Sequence, residues 1–232
     1  MDPGNAAYHI PAILDLRGRL NTSALETALR RLIDRHESLR TTFVANDDEA
    51  HQVITPSTVF HLRVKTLDQG SLEDRLQYAA ALAEVEARKS FDLTTGPLMR
   101  VLLLRLESQH WQLVVVQHHI ISDGWSMAVF SRELCAQYES LVSHHILQLP
   151  FLTRQYADFS QWQRLWLSDE RRNAQENYWQ SLLDGVPVLD LPSDFSRPAT
   201  QQFNGEVLVS QLPESLTTAC RQLAGQTEVT LF

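Results

Sequence analysis

Apolar positions recur at helical spacing along residues 23–39, where Leu25, Ala28, Leu29, Leu32, Ile33 and His36 fall on one face. That period predicts an amphipathic helix, and Ser23 with Glu26 forms a capping-box signature at its start. Beyond it, residues 39–44, the turn-forming Asn46-Asp47-Asp48 and residues 50–54 predict a hairpin, and residues 59–66 a further strand. Residues 72–89 are alanine-rich and helical and stop before the breaker pair Gly96-Pro97. Two apolar runs, 99–106 and 110–116, are joined by Glu107-Ser108-Gln109 and predict an antiparallel hairpin. The second run, from Trp111 onward, is mostly β-branched or aromatic and too short for a helix, which marks a buried strand.

Helices follow over 126–141, 154–167 and 170–183. Ser131, Glu133 and Gln137 of the first are expected toward solvent, and His144-His145 as a solvated helix end. The aromatic set Tyr156, Phe159, Trp162, Trp166, Tyr178 and Trp179 reads as core packing. Residues 185–198 carry Pro187, Pro192 and Pro198 and predict an extended linker, followed by a strand at 206–212 and a helix at 213–224. One strand and one helix cannot bury themselves, so this tail is expected to be completed by more polypeptide.

Of the 232 residues 44% are hydrophobic, enough to bury a sizeable core. The formal net charge of -8 leaves no basic footprint, which argues against nucleic acid or an anionic membrane surface as partner. Cys135 and Cys220 lie far apart within helical patterns, so no disulfide framework is expected and a reducing compartment fits. No apolar run approaches the ~18 residues of a membrane span, and the first residues are not a signal peptide. The expectation is a soluble, cytoplasmic protein.

The candidate chemistry sits at the end of the second apolar run, in His118-His119-Ile120-Ile121-Ser122-Asp123-Gly124. Paired histidines at the carboxyl end of a buried strand suggest an aimed imidazole, and Gly124 permits backbone angles that would turn the chain sharply. A blander reading makes the pair ordinary strand-end histidines bonded to nearby backbone. Metal binding by His119 and Asp123 is disfavoured by Gly124 and by the want of a convincing third ligand.

Three motifs together resemble the condensation domain of nonribosomal peptide synthetases, within the chloramphenicol acetyltransferase-like superfamily. The histidine segment fits HHxxxDG. Arg35-His36-Glu37-Ser38-Leu39-Arg40-Thr41-Thr42-Phe43 fits RHExLRTxF, and Tyr156-Ala157-Asp158-Phe159 with Trp162 fits YxDFxxW. Phe91-Asp92-Leu93 with Gly96-Pro97-Leu98 is similar to the FDLxxGPL stretch between the first two.

That resemblance implies an α/β (α+β) fold, a two-layer lobe with a mixed sheet and helices. It divides the chain into a first lobe at 1–184, a linker at 185–198 and the start of a truncated second lobe at 199–232. It also implies amide formation between a carrier-bound acyl or peptidyl thioester donor and a carrier-bound aminoacyl acceptor. His119 is then the catalytic residue. His118 supports the fold, Asp123 forms an ion pair with Arg40 or, second, Arg35, and Gly124 lets substrate approach.

No cofactor is expected to be held intrinsically, since substrates arrive on the 4'-phosphopantetheine of carrier proteins. The implied partners are carrier proteins on either side and an adjacent adenylation domain. Ile120-Ile121-Ser122 points to the ordinary type that takes an L-configured donor. In the family the site lies in a tunnel between two lobes, so this chain alone is expected to be inactive. The competing readings are an epimerisation or stand-alone acyltransferase relative, and a non-catalytic remnant or docking module that only binds carrier proteins.

Overall fold

The structure is a computed structural model that describes residues 5–46, 49–56, 59–143, 145, 147, 149–200, 205, 208 and 210–231. Two compact units divide at Pro192 and Ser193.

In the first unit a four-stranded sheet runs in the order β1-β6-β5-β4, with β1 at His9–Arg17, β4 at Arg63–Thr66, β5 at Met99–Glu107 and β6 at His110–His118. β1, β6 and β5 are antiparallel neighbours, and β4 lies parallel to β5. Apart from Arg100, Arg105, Glu107 and Gln112, every residue of β5 and β6 is buried. Continuous apolar runs are what strands covered on both faces require. β1 carries no helix-like period and contains Pro11, and only its alternation of half-buried and exposed residues marks it as a strand. A proline is tolerated there because β1 lies at an edge of the sheet.

Helix α1, Thr22–Arg35, buries Leu25, Ala28, Leu29, Leu32 and Ile33 as its period predicts. Its cap is Asn21 rather than Ser23. The Asn21 side chain accepts from Ala24 N at 3.0 Å, and Glu26 instead meets Arg30 one turn on. The helix ends at Arg35, and Glu37–Arg40 forms a 3₁₀ turn leading into the hairpin of β2, Thr41–Asn46, and β3, Glu49–Ile54. Asp47 and Asp48 of the expected turn lie outside the described residues. Helix α2, Leu72–Arg88, starts on a capping box of Ser71 and Asp74 and packs on β1, β5 and β6. Helix α3, Gly124–Ser143, packs on α1, and the Tyr138 hydroxyl accepts from Asn21 N at 2.9 Å. One apolar cluster runs through α1, α2, α3, β5 and β6. His144 lies outside the described residues, and His145 is exposed.

The Phe91 to Leu98 stretch ties the hairpin to the sheet. Phe43 N donates to Leu93 O at 2.7 Å, and Gly96 N to Asp92 O at 2.9 Å. Gly96 has φ +60, and a Cβ there would sit 2.9 Å from the Thr42 methyl carbon, so glycine is required. Asp92 accepts from the Thr94 hydroxyl and backbone, which holds its carboxyl down to about 2.

Helices α4, Tyr156–Trp166, and α5, Asp169–Leu183, close the first unit. Their aromatic residues are not core: Tyr156 is 56% exposed and Trp162 54%. The rings instead follow one another along α4, tilted from Tyr156 to Phe159 with centroids 5.9 Å apart and from Phe159 to Trp162 at 5.7 Å, and stacked from Trp162 to Trp166 at 5.9 Å. The 3₁₀ turn at Glu37–Arg40 packs against α4. The second unit holds α6, Glu214–Gln226. The strand expected at 206–212 falls partly outside the described residues, and its described residues are not in a strand.

Candidate active site

β6 ends at His118, and the chain then folds into a short turn held at both ends. His118 N donates to Leu98 O at 3.0 Å, His119 N to Tyr8 O at 2.7 Å, and Ile121 N back to His118 O at 3.0 Å. The paired histidines therefore leave the strand at its carboxyl end, fixed by backbone bonds to the residues that lead into β5 and β1.

Their side chains part company. His118 is buried, 6% exposed, and its Nδ1 accepts from Ile120 N at 3.0 Å, which places the ring proton of the neutral form on Nε2. Its ring lies 5.8 Å from His9 and 6.0 Å from Phe91. Burial pushes its pKa below the ordinary histidine value, with His9 and His119 adding to the shift. His119 is exposed and opens on a cavity of about 320 Å³ that it shares with Ser38, Asp123, Ser126 and Tyr156.

Asp123 does not form the expected ion pair with Arg40 or Arg35. Its Oδ1 accepts from Ser126 N and from the Ser126 hydroxyl, both at 2.7 Å, and these bonds hold its carboxyl below the usual value. Asp123 thus caps α3, for which an aspartate one residue before the helix is well suited. Gly124 is the first residue of that helix rather than a sharp turn, and its φ is not positive. A Cβ on it would meet nothing within 4 Å, so the space above it is open to a ligand.

Both arginines are engaged elsewhere. Arg40 donates to Thr55 O and lies 3.5 Å from Glu37. Arg35 donates to Pro150 O at 2.6 Å and to Glu133 Oε2 at 3.1 Å. Glu133 also lies 2.7 Å from His36 Nε2 and is buried, contrary to its expected solvent position. Two charged or polar partners on α1 and the turn after it draw it inward, because a buried carboxylate needs such bonds. The Arg35-His36 pair therefore acts on α3, and only through that helix on the Asp123 loop.

Tyr156 enters the His119 cavity because α4 is anchored by the residue before it. Gln155 Nε2 donates to Arg35 O at 3.0 Å, while Gln155 Oε1 accepts from Glu37 N at 3.2 Å. Asp158 Oδ2 accepts from Gln155 N at 2.8 Å and caps the helix. Sequence reasoning reaches Tyr156 as part of a motif but not as a residue facing His119. Ser38 and Ser126, which also line the cavity, carry no signal of their own.

A family model described as Condensation domain matches residues 1–232. A linear gramicidin synthase of Brevibacillus parabrevis is 41% identical over 97% of this chain, and malpinin synthetase of Mortierella alpina 39% over 97%. The chain spans only 3% of the length of each. Among solved structures, the X-domain from teicoplanin biosynthesis superposes with a TM-score of 0.80 at 31% identity, covering 96% of this chain and 49% of that one. The starter condensation domain of rhizomide synthetase RzmA superposes with a TM-score of 0.72 at 22% identity, covering 81% of this chain and 45% of that one, a likeness of fold. The architecture is thus the chloramphenicol acetyltransferase-like one, and the chain belongs to the condensation domain family of nonribosomal peptide synthetases.

Proposed function

We propose that this chain supplies one wall of a site that joins a carrier-bound acyl or peptidyl thioester to the amine of a carrier-bound aminoacyl thioester, with His119 as its base. An α-amino group with a pKa of about 7.7 to 8.0 is partly neutral near pH 7 and needs no drastic activation. Its nitrogen attacks the donor carbonyl carbon to give a tetrahedral adduct bearing a strongly acidic ammonium. His119 takes that proton, an imidazole of pKa ~6.5 being suited to the transfer. As the carbon–sulfur bond breaks, the proton passes to the departing sulfur, leaving amide and thiol.

The observation that carries this reading is the contrast within the pair: His119 opens on a cavity with polar side chains and Tyr156, while His118 is buried. The open face at Gly124 provides room for the pantetheine-borne carbonyl. In this proposal the opposite wall comes from further polypeptide, substrates are delivered by flanking carrier proteins, and the setting is cytoplasmic. His118, Asp123, Arg35 and Arg40 serve as supports. The domain organisation of a first lobe, a linker after residue 184 and a second lobe from residue 199 belongs to the same proposal.

The test is dipeptide formation from loaded donor and acceptor carriers by the full polypeptide that contains this chain. His119→Ala should abolish product while the fold persists, and wild-type rates in that variant would overturn the assignment. A docking module without catalysis is the second reading. What favours it is the likeness to the teicoplanin X-domain, a structure of which is a complex with OxyB. Wild-type protein that binds loaded carriers yet yields no amide would support it.

A further inference from the structure

Ile120 lines a second cavity, of about 390 Å³, as well as the one at His119. The hairpin of β2 and β3, the Phe91 to Leu98 stretch and the start of β1 enclose it, and Phe43, Val44, Ala45, Phe91 and Leu93 give it apolar walls. Several polar groups along it are committed to neighbours. Asn5 Oδ1 accepts from Ala7 N at 2.8 Å, and Asp92 Oδ1 accepts from the Thr94 backbone at 2.9 Å and the Thr94 hydroxyl at 2.7 Å.

Two ring nitrogens are not. His118 lines this cavity and is 6% exposed, and because its Nδ1 accepts from Ile120 N, the neutral ring carries its proton on Nε2. That Nε2–H has no hydrogen-bond partner among the described residues, and unlike His110 Nδ1 it is not sealed from solvent. Burial depresses the His118 pKa and keeps the ring neutral near pH 7, so it presents a donor without a charge. His9 also lines the cavity, with its ring centroid 5.8 Å from that of His118. Its Nδ1 stands 2.6 Å from Ala87 O, a carbonyl that can only accept, so the neutral His9 ring is protonated on Nδ1 and offers Nε2 as an acceptor. This nitrogen too has no partner among the described residues. Open hydrogen-bonding groups on a largely buried side chain call for a reason.

We infer that this cavity binds an apolar secondary amide, whose carbonyl oxygen accepts from His118 Nε2–H, whose N–H donates to His9 Nε2, and whose apolar substituents lie against Phe43, Phe91 and Leu93. One donor beside one acceptor is the complement of an amide, which carries one of each. An ester offers acceptors only, and an ether lacks the carbonyl as well. Apolar walls with a few placed polar groups are the usual make-up of a small-molecule site. Two sources supply such a group: the acylated end of a chain borne on a carrier, which the shared wall at Ile120 would bring beside His119, and a free apolar amide. Binding at this cavity does not rest on the amide-forming reading.

The experiment measures binding to the full polypeptide that contains this chain, by calorimetry at pH 7.5, with two sets of probes. The free set is N-methylhexanamide, methyl hexanoate and methyl hexyl ether. The pantetheine set is N-hexanoyl-leucine pantetheine amide and its analogue with an ester oxygen in place of the leucine nitrogen. In the free set the amide should bind about fivefold tighter than the ester, and the ester about fivefold tighter than the ether, each the size of one neutral hydrogen bond. His9→Asn, which keeps a donor for Ala87 O and removes Nε2, should erase the first preference. His118→Asn, which keeps an acceptor for Ile120 N and removes Nε2–H, should erase the second. The same amide preference in the pantetheine set, lost in His9→Asn, would assign the cavity to the carrier-borne chain, and a preference confined to the free set would assign it to a free amide. Equal binding of amide and ester by the wild type in both sets, equal binding of ester and ether, or preferences that survive the Asn substitutions would overturn the inference. Wild-type protein that joins loaded carriers yet shows no such preferences would strike this inference and leave the catalytic reading standing, whereas preferences without amide formation would do the reverse.

Discussion

His118 and His119 are consecutive residues at one strand end, yet they lie in opposite environments. On the inner side, His118 rests among Tyr8, His9 and Phe91 with its Nδ1 committed to a backbone N–H. On the outer side, His119 shares an open cavity with Asp123, Ser126 and Tyr156. The end of the strand explains the split: His118 is the last residue of β6 and is buried with the rest of that strand's end, while His119 lies in the turn that follows and is exposed. A pair of identical side chains can therefore divide the work of holding a loop and doing chemistry on it.

The largest expected effect is on the outer side. His119→Ala should lower amide formation about 10²- to 10⁴-fold, the range for loss of a general base, with the thermal midpoint unchanged. A midpoint that falls as it does for the inner residues would break the comparison.

Next comes Glu133, which holds α3 to Arg35 and His36 from inside. Glu133→Ala leaves a largely buried Arg35 without its carboxylate and should cost about 3 kcal/mol in denaturant melts. His118→Ala should cost about 1–3 kcal/mol through the lost hydrogen bond and packing.

His118 also has a pH signature. Because burial depresses its pKa in the folded state, the folded protein binds fewer protons than the unfolded chain as pH falls below 6.5. Its contribution to stability is thus fully present above pH 6.5 and is lost as pH falls through the lower folded value. Melts between about pH 7.5 and 5 should show a shallower fall for His118→Gln than for the wild type.

The smallest effect separates a cap from an ion pair. Asp123→Ala should cost about 1 kcal/mol, as for a lost helix cap. A loss of about 3–5 kcal/mol would instead indicate a stranded arginine.

The legible parts of the fold are those with a strong local period. α1 and the hairpin of β5 and β6 follow directly from apolar spacing, since burial of those positions is the main favourable force available to them. β1 escapes such a reading because only alternation within a short run marks it, and its status depends on pairing with β6, about 100 residues later in the chain. At the site, the histidine pair and its place at the strand end are readable. The partners of Asp123, Arg35 and Arg40 are not, because an ion pair between distant residues leaves no trace in spacing. Glu133 looks like a solvent residue on its own helix and is buried only because Arg35 and His36 meet it.

By itself the chain's order of residues determined where most of the strands and helices form, that a histidine pair ends a buried strand, and which family the motifs resemble. Local periodicity and backbone chemistry suffice for that, because they act within a few residues. Only the tertiary structure decided which histidine is exposed, that Asp123 caps a helix, and that Glu133 is buried against Arg35 and His36. Those outcomes depend on side chains brought together across long loops, where packing and the need to satisfy buried polar groups choose among partners that spacing leaves equivalent.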